Sequence, residues 1–522
     1  MQTAATATAG GGEDTLRKSY DRVPYPGTAH FMTHPNLLAA LAYMYGMNPP
    51  ASDRCRVLEL GCGDGGNIIP MAYAMPDSEF VGIDLSPVQI EQGMSLVNEL
   101  GLSNIELVTR SIMDLSAGDG PFDYIIAHGV YSWVPPAVQD KMLEICGTAL
   151  SPDGVAYISY NTYPGWYFNR SMRDMMLYRT RGMDDPAEQL RAALSLVDTI
   201  VEHSEDGTDL HHAQMKFFRK GLASYNHMES YLTHDYMEEH NNPVYFHEFA
   251  ERAAKHRLQH LCDADYTSFE PERLGPEVFD EFRKFAADRD ELEQYIDFLR
   301  NTRFRRSLIC GAGHALDRSY DGERLRKLYA STDLDPVLDS PEQGIEEASA
   351  FRTTEGRTVR AEHPFARAIL IRLCHDRPAA VAADTLIRDA IRTAGEEISE
   401  SALELAGRVL HSLFFNGLVE LLRAPRRCKA AVSERPEASA VARLQAATRK
   451  VTNLRHKTID IDDDMACLLL DLVDGTRDRA ALLELVNAAT TDGRLSVREG
   501  SDMERLLDVH LRKMAKHALL VG

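Results

Sequence analysis

The sequence predicts an α/β protein with a Rossmann-like parallel sheet, a helical insertion and two α+β accessory domains of winged-helix type. Short apolar strands alternate with helical patterns over the first 165 residues. Two further strand-like segments follow only after a long helical stretch, and three-helix units occur twice beyond residue 320. With 522 residues the chain is also too long for one compact core, so several domains are expected.

The alternation begins with the strand Arg56–Leu60, which leads into a glycine-rich loop. Ser86 followed by Pro87 is typical of a helix start, because serine caps the first turn and proline fits its first position. Strands separated by helices require a parallel sheet covered on both faces. The expected strands are Arg56–Leu60, Glu79–Asp84, Asn104–Thr109, Phe122–Ala127 and Gly154–Tyr160, and the expected helices are Asn67–Ala74, one beginning after Ser86, and Pro136–Leu150.

The loop after the first strand fits two patterns. Its glycines match both the Gly-x-Gly-x-x-Gly fingerprint of dinucleotide-binding loops and the spacing Glu-x-Gly-x-Gly-x-Gly. A dinucleotide brings a pyrophosphate, which a nearby carboxylate repels, whereas S-adenosylmethionine carries an ammonium and a sulfonium. Glu59 and Asp64 therefore favour S-adenosylmethionine as the cofactor. The loop residues expected to bind it are Glu59, Gly61, Gly63 and Gly65.

Two positions after the next strands are also expected to contact the cofactor. Asp84 ends the second strand, where a carboxylate can accept both ribose hydroxyls; the alternative is a charge that only stabilises the adjacent helix N-terminus. After the third strand, Ile112 and Met113 are expected to sandwich the adenine. Ser111 or a backbone amide would then meet the exocyclic amine of the ring.

Six segments carry a resemblance to a known family. They are Tyr20–Pro26, LELGCGDGGN (58–67), HGVYSWVP (128–135), YNTYPGW (160–166), HDYMEEHNNPVYFHEF (234–249) and FRRSLIC (304–310). The chain resembles class I S-adenosylmethionine-dependent methyltransferases, specifically the rickettsial-type protein lysine methyltransferases that act on outer membrane proteins and carry a methyltransferase regulatory segment. The resemblance implies lysine N-methylation; a small-molecule or peptide natural-product methyltransferase is the alternative. Tyr20, Asn67 and His128, in these segments, and Leu85, next to Asp84, complete the expected cofactor contacts.

The methyl acceptor is expected at the carboxyl ends of the fourth and fifth strands. The chain has only two tryptophans, Trp133 and Trp166, and each follows one of these strands within a group of aromatic residues. Aromatic rings suit a lysine, because its stem packs against them and its head lies over their faces. A hydrophobic hinge is the alternative explanation for these rings. The residues expected to contact the acceptor are Tyr131, Trp133, Tyr160, Asn161 and Trp166.

The expected reaction is an in-line displacement at the methyl carbon, in which alignment of the reactants supplies much of the rate. The attacking amine must be neutral, and a partly desolvated pocket lowers its pKa, so a general base is not required. His128 is the nearest candidate for a base, although a histidine at a strand end also commonly holds a backbone group. Asn161 and the Tyr160 hydroxyl are expected to orient the amine.

The remainder of the chain predicts the other domains. Helical patterns at Asp185–His203 and Leu210–Met228 indicate an insertion, which is followed by the last two strands at Leu258–Phe269 and Phe304–Cys310. A polar, proline-bearing linker is expected at Ala424–Glu437. The expected division is a disordered tail at 1–15, a catalytic domain at 16–165 and 256–318, an inserted regulatory or dimerisation segment at 166–255, a middle domain at 319–437 and a C-terminal domain at 438–522.

Charge and composition restrict the partners. The net charge is −22, and residues 441–522 hold 13 basic and 13 acidic residues, so a nucleic-acid partner is not expected despite the winged-helix pattern. No apolar segment is long enough to cross a bilayer, no secretory signal opens the chain, and the eight cysteines form no CxxC pair. We expect a cytoplasmic protein that binds no metal, acts on a protein or a small molecule, and can form a homodimer.

Overall fold

The structure is a computed structural model that describes residues 27–203, 210–222, 232, 236–238, 240–269, 275–338, 340, 343–426, 428, 431–498 and 500–521. Tyr20 and the tail expected at residues 1–15 lie outside the described residues.

The core of the molecule is a seven-stranded sheet with the order β3-β2-β1-β4-β5-β7-β6. The first five strands are parallel, and β7 runs antiparallel to both β5 and β6. The strands are β1 (Arg56–Leu60), β2 (Glu79–Asp84), β3 (Ile105–Thr109), β4 (Phe122–Ala127), β5 (Leu150–Asn161), β6 (Leu258–Asp263) and β7 (Phe304–Gly311). The predicted Rossmann-like sheet, completed by two strands after the insertion, is confirmed.

One of those two strands is shorter than predicted. We expected it to run to Phe269, but β6 ends at Asp263, and Tyr266–Phe269 form a helical turn. The Asp263 side chain accepts a hydrogen bond from the backbone N–H of Asp265 at 2.8 Å, and the Thr267 hydroxyl donates to Asp265. Such local side-chain bonds end a strand and begin a turn, so the prediction beyond Asp263 was wrong.

Helices and the inserted segment cover the two faces of the sheet. The helices up to β7 are α1 (Pro35–Met44), α2 (Ile68–Ala74), α3 (Pro87–Glu99), α4 (Pro136–Ala149), α5 (Trp166–Thr180), α6 (Pro186–His203), α7 (Leu210–Leu222), α8 (Phe246–Lys255), α9 (Tyr266–Phe269), α10 (Pro276–Arg283) and α11 (Arg289–Arg300). Helices α1 and α2 pack with Val57, Ile126 and Tyr157 on one face. Helices α4 and α8 cover the other face, where Ile158 and Tyr160 lie.

The inserted helices α5, α6 and α7 form a separate hydrophobic cluster around Met172, Val197 and Met215. The helix expected at Leu210–Met228 is described as far as Leu222, and the rest of that prediction lies outside the described residues. Helix α8 then returns the chain to the sheet. The insertion therefore builds a small core of its own beside the carboxyl end of β5.

The middle part of the chain contains helices α12 (Gly322–Arg326), α13 (Pro364–Asp376), α14 (Ala383–Thr393) and α15 (Glu400–Phe415), with strands β8 (Tyr329–Ser331), β9 (Asp335–Val337), β10 (Ala350–Arg352), β11 (Thr358–Arg360), β12 (Val381–Ala382) and β13 (Glu420–Leu422). Their apolar side chains belong to the same hydrophobic cluster as α1 and α2. This shared core fixes the middle part against the catalytic sheet.

The C-terminal part has its own hydrophobic core. Its elements are β14 (Glu437–Ala438), α16 (Ala440–Gln445), β15 (Lys450–Thr452), β16 (Thr458–Asp460), α17 (Asp464–Leu472), α18 (Arg479–Thr491), α19 (Met503–Lys516) and β17 (Leu520–Val521). The segment expected to be a linker is partly buried: Arg426 bonds the Glu420 carboxylate at 3.0 Å, and the Cys428 thiol contacts the Pro378 carbonyl. In the described part of the chain, no helix has the length and apolar character needed to cross a membrane.

Candidate active site

The glycine loop between β1 and α2 needs glycine at its key positions. Gly61, Gly63 and Gly65 have φ angles of 68°, 56° and 77°, in the left-handed region that side chains disfavour. A Cβ atom on Gly61 would lie 2.6 Å from the Val130 side chain, and one on Gly65 would lie 2.7 Å from Ile69. The loop backbone thus packs closely against both α2 and the segment that follows β4.

Glu59 is a buried carboxylate at the end of β1, and only 4% of its surface is exposed. The Asn67 side-chain amide donates to Glu59 Oε1 at 2.7 Å, whereas Oε2 is buried without a hydrogen-bond partner among the described residues. Burial raises the pKa of Glu59 to about 8, and the nearby Asp64 and Asp84 charges act in the same direction. A cationic ligand group would satisfy this oxygen, so the site fits the ammonium of S-adenosylmethionine.

Asp84 fastens the glycine loop to β2. Its Oδ2 accepts from the backbone N–H of Gly63 at 2.9 Å, and its Oδ1 accepts from the backbone N–H of Ser86 at 2.9 Å. The carboxylate therefore shapes the loop in addition to any contact with a ribose. Leu85, next to it, packs against the core on the α4 face.

Ser111, Ile112 and Met113 form a tight turn after β3. The Ser111 hydroxyl accepts from the backbone N–H of Met113 at 3.1 Å. The Ile112 side chain is buried, and Met113 is 37% exposed. The structure thus gives the two predicted adenine contacts different environments, and their role stays a prediction.

His128 lies at the end of β4 on the same sheet face as Glu59. Its Nδ1 is 2.8 Å from the Tyr157 hydroxyl, and its ring stacks on His30 at 3.8 Å between centroids. Burial lowers the pKa of His30 to about 4, and burial with His30 and Arg306 nearby holds the pKa of His128 well below its ordinary range. Both imidazoles are therefore neutral at physiological pH. Neither His30 nor Tyr157 was predicted.

The segment before α1 closes over the glycine loop. The backbone N–H of Gly27 faces the Asp64 carboxylate at 3.4 Å, and the backbone N–H of His30 donates to Asn67 Oδ1 at 2.9 Å. Asn67, predicted as a cofactor contact, thus joins this segment to Glu59. In the sequence, the only signal for these contacts was the family-like segment Tyr20–Pro26, which directly precedes Gly27.

The predicted acceptor residues lie in three separate places. Tyr131 and Tyr160 lie in the core on the α4 face, where Tyr160 stacks on Phe249 of α8 at 4.3 Å and its hydroxyl lies 3.0 Å from Ser307 Oγ. Tyr160 therefore lies on the sheet face opposite His128. Asn161 is different, because it pairs with Phe304 of β7, and the edge of that ring meets His128.

The two tryptophans are close together, as the aromatic grouping suggested. Trp133, Tyr163 and Trp166 form one small cluster packed against Tyr245, which precedes α8. The cluster joins the ends of β4 and β5 to the returning end of the insertion. This contact also fits the alternative of a hydrophobic hinge, and a role in acceptor binding stays a prediction.

The insertion is rich in histidines, several of which lie within the described ranges. No group of three or more histidine, cysteine, aspartate or glutamate side chains suited to a metal ion occurs among the described residues. His227 and His234 lie outside those residues.

Comparison with known proteins gives three family matches along the chain. Residues 57–154 match the family described as "Methyltransferase domain", residues 228–311 match "Predicted methyltransferase regulatory domain", and residues 434–519 match "PKMT, C-terminal winged helix domain".

One relative matches nearly the whole length of this chain, and another matches about half of it. Uncharacterized protein RP789 of Rickettsia prowazekii is 33% identical over 96% of this chain and 93% of its own length. Uncharacterized protein RP028 of the same organism is 38% identical over 46% of this chain and 96% of its own length. The structure of PKMT2 from Rickettsia typhi in complex with AdoHcy superposes with a TM-score of 0.84 at 27% identity, covering 96% of this chain and all of that one.

The fold and the site define an S-adenosylmethionine-dependent methyltransferase. The chain belongs to the same family as RP789, and in it a methyltransferase domain, a methyltransferase regulatory domain and a PKMT-type winged helix domain occur together. When bound, the cofactor would supply a methyl group on a positively charged sulfur. A nucleophile would bond to the methyl carbon, and the sulfur would leave as the neutral thioether.

Proposed function

We propose that the methyl acceptor is the ε-amine of a lysine side chain in a protein. The PKMT-type winged helix match and the likeness to PKMT2 support this acceptor. The observation that carries it is the pair of neutral imidazoles, His30 and His128, at the carboxyl end of β4 on the cofactor face of the sheet. A site that keeps histidine neutral also favours the neutral, nucleophilic form of a bound lysine.

The physical basis is desolvation of the charged form. Burial is the largest cause of the lowered pKa of both His30 and His128, and the Arg306 cation acts in the same direction. The same two effects lower the pKa of a lysine ammonium placed beside these rings. Since His128 binds a proton so weakly, it does not act as the base, and the lysine ammonium loses a proton to solvent before the neutral amine attacks.

We assign the cofactor contacts to the loop and the strand ends. In this assignment Glu59 meets the ammonium of the cofactor, the glycine loop accommodates its amino-acid end, and Asp84 meets the ribose. Ser111, Ile112 and Met113 surround the adenine. Two observations support this orientation: Glu59 Oε2 has no hydrogen-bond partner in the described part of the chain, and the loop glycines are left-handed.

We assign the acceptor contacts to the face that carries His128. Tyr157 holds the His128 ring by its hydroxyl, and the paired Asn161 and Phe304 extend the same wall toward the insertion. The nitrogen of the Asn161 amide is buried without a hydrogen-bond partner among the described residues, which leaves one polar position to orient an acceptor. Tyr131 and Tyr160 are left out of this assignment because they pack in the opposite core.

We further propose that the accessory domains bind the protein substrate. The insertion has a core of its own, and exposed rings on α5 and α7, among them Tyr178 and Phe217, leave apolar surface for a partner or for a second copy of the chain. The domain limits that we propose are 166–255 for the insertion and 438–522 for the C-terminal domain; the separate cores support them, while α8, at the end of the first range, packs on the sheet.

A labelling experiment tests the lysine acceptor. The protein is incubated with methyl-labelled S-adenosylmethionine and a lysate of its source organism, and labelled protein is hydrolysed for amino-acid analysis. We expect the label in ε-N-methyl-lysine, and we expect it to disappear when the lysines of the lysate are first acetylated. Label confined to metabolites, or to other residues of the protein fraction, contradicts the proposal.

Two tyrosines of β5 provide a matched pair of variants. Tyr157→Phe removes the hydroxyl that holds His128, so we expect kcat for the labelled protein to fall about tenfold while affinity for S-adenosylhomocysteine is unchanged. Tyr160→Phe removes a hydroxyl in the opposite core and is expected to lower stability by about 1 kcal/mol with little change in kcat. Turnover assays and calorimetric binding of S-adenosylhomocysteine compare the two variants. A larger kcat loss for Tyr160→Phe than for Tyr157→Phe would place the acceptor on the other face of the sheet.

A further inference from the structure

A hairpin turn of the C-terminal domain reaches the cofactor site. The turn, residues 453–457, joins β15 to β16 and is organised by Asn453, whose side-chain oxygen accepts from the backbone N–H groups of Arg455 and Lys457 at 3.0 and 2.9 Å. His456 has φ of 58°, a left-handed conformation that a side chain rarely adopts. Such a conformation persists only where the surroundings hold it, and it often marks a functional position.

The His456 imidazole is buried and contacts the catalytic domain directly. Its Nε2 lies 2.9 Å from Asn67 Oδ1, across 389 positions of sequence. The backbone N–H of His30 also points at this Asn67 oxygen, and because it can only donate, the orientation of the amide is fixed. His456 therefore donates through Nε2, and the Asn67 nitrogen is left facing Glu59.

Ion pairs with the middle domain hold the turn in place. The Arg455 guanidinium donates to Glu420 Oε2 at 2.9 Å and also pairs with Asp333. The Lys457 ammonium pairs with the same two carboxylates and lies 4.9 Å from the Phe31 ring, in the segment before α1. The turn is thus anchored to the middle domain on both sides of His456.

We propose that His456 is a positioning residue for the cofactor. By donating to Asn67 it joins the His30 N–H in orienting the amide that bonds Glu59 Oε1, and so stabilises the position in which Glu59 Oε2 faces the ammonium of the cofactor. Cofactor affinity then depends on the docked C-terminal domain. This inference rests on the cofactor role that we assign to Glu59.

Two ligands separate positioning from a general loss of structure. S-adenosylhomocysteine has the amino-acid group that Glu59 would meet, and 5′-methylthioadenosine lacks it. For His456→Ala in the full-length protein, we expect calorimetry to show about tenfold weaker binding of S-adenosylhomocysteine and less than a twofold change for methylthioadenosine. His456→Gln keeps an N–H donor and should recover most of the affinity.

A matched control comes from the same domain. The His510 imidazole pairs with Asp463 at 2.9 Å on a different part of the domain, so His510→Ala should leave both affinities unchanged. Unchanged binding in His456→Ala, or equal losses for both ligands, overturns the positioning role. Glu59→Gln distinguishes the two proposals: if it does not weaken S-adenosylhomocysteine selectively, the assignment of Glu59 fails, and the role of His456 fails with it.

Discussion

Replacing Glu59 with glutamine is expected to weaken S-adenosylhomocysteine binding about 100-fold. In the free protein Glu59 Oε2 is buried and has no hydrogen-bond partner among the described residues, so a negative charge on this carboxyl is stabilised only when a cationic group arrives. Glutamine fits the same space and keeps an acceptor for Asn67, but it has no charge to offer the ammonium. Isothermal titration calorimetry measures the change directly.

The same carboxyl predicts a pH dependence of binding. Its pKa of about 8 means that the free protein carries Glu59 protonated at lower pH, and binding of the cationic ligand releases that proton. Affinity is therefore expected to rise up to about tenfold per pH unit toward pH 8 and then to level off. Below pH 8, the heat of binding should also depend on the ionisation enthalpy of the buffer.

The stability of the ligand-free protein should fall with rising pH, opposite to the change in affinity. Because the folded pKa of Glu59 lies above its ordinary value, 4.5, this group's contribution to stability declines as the pH rises from about 4.5 to about 8. Glu59→Gln removes that decline and should raise the unfolding temperature of the ligand-free protein at pH 8. Glu79→Gln, at the opposite, exposed end of the sheet, is the control, and a change in affinity below threefold for Glu59→Gln would contradict the assignment.

Replacing Arg305 with methionine is expected to destabilise the protein by about 3–5 kcal/mol. Arg305 of β7 is fully buried and donates to Asp297 at 2.9 and 3.0 Å and to Glu293 at 3.1 Å, both on α11. Removing the cation leaves buried negative charge without its partner. Since β7 pairs with the strand that carries Tyr157 and Asn161, catalysis should fall together with stability.

Thermal unfolding measures this loss, which we expect to lower the transition of the catalytic domain by about 10 °C. Arg306→Met is the neighbouring control, because Arg306 is partly exposed and its ion pair with Asp265 is 3.5 Å long. The double variant Arg305→Met/Asp297→Leu should recover most of the stability, since Glu293 keeps its pair with Arg289. A double variant as unstable as Arg305→Met alone would show that charge burial is not the cause.

Much of the catalytic fold could be predicted because its signals are local. The turn at Gly61–Gly65, the cap at Ser86 and the apolar strands each depend on a few neighbouring residues, and the structure has them in place. The end of β6 was misplaced, because the bonds around Asp265 that end the strand are made by side chains with no strong pattern.

The face on which each tyrosine of β5 lies could not be predicted. Both faces of this central strand are buried, so its side chains read as one apolar run without the alternation that marks an exposed face. Tyr160 therefore looked as suitable for the acceptor as any other ring, yet it packs on Phe249, while Tyr157 meets His128.

The sequence by itself determined the class of cofactor and the sheet that binds it, since the charges and glycines that matter lie within a few residues of each other. Only the tertiary structure decided which side chains complete the site. His30 and His456 reach Asn67 from opposite ends of the chain, and no local pattern connects positions so far apart. The conformation of the glycine loop is thus determined by one short segment of sequence, while the environment of Glu59 depends on the packing of three domains.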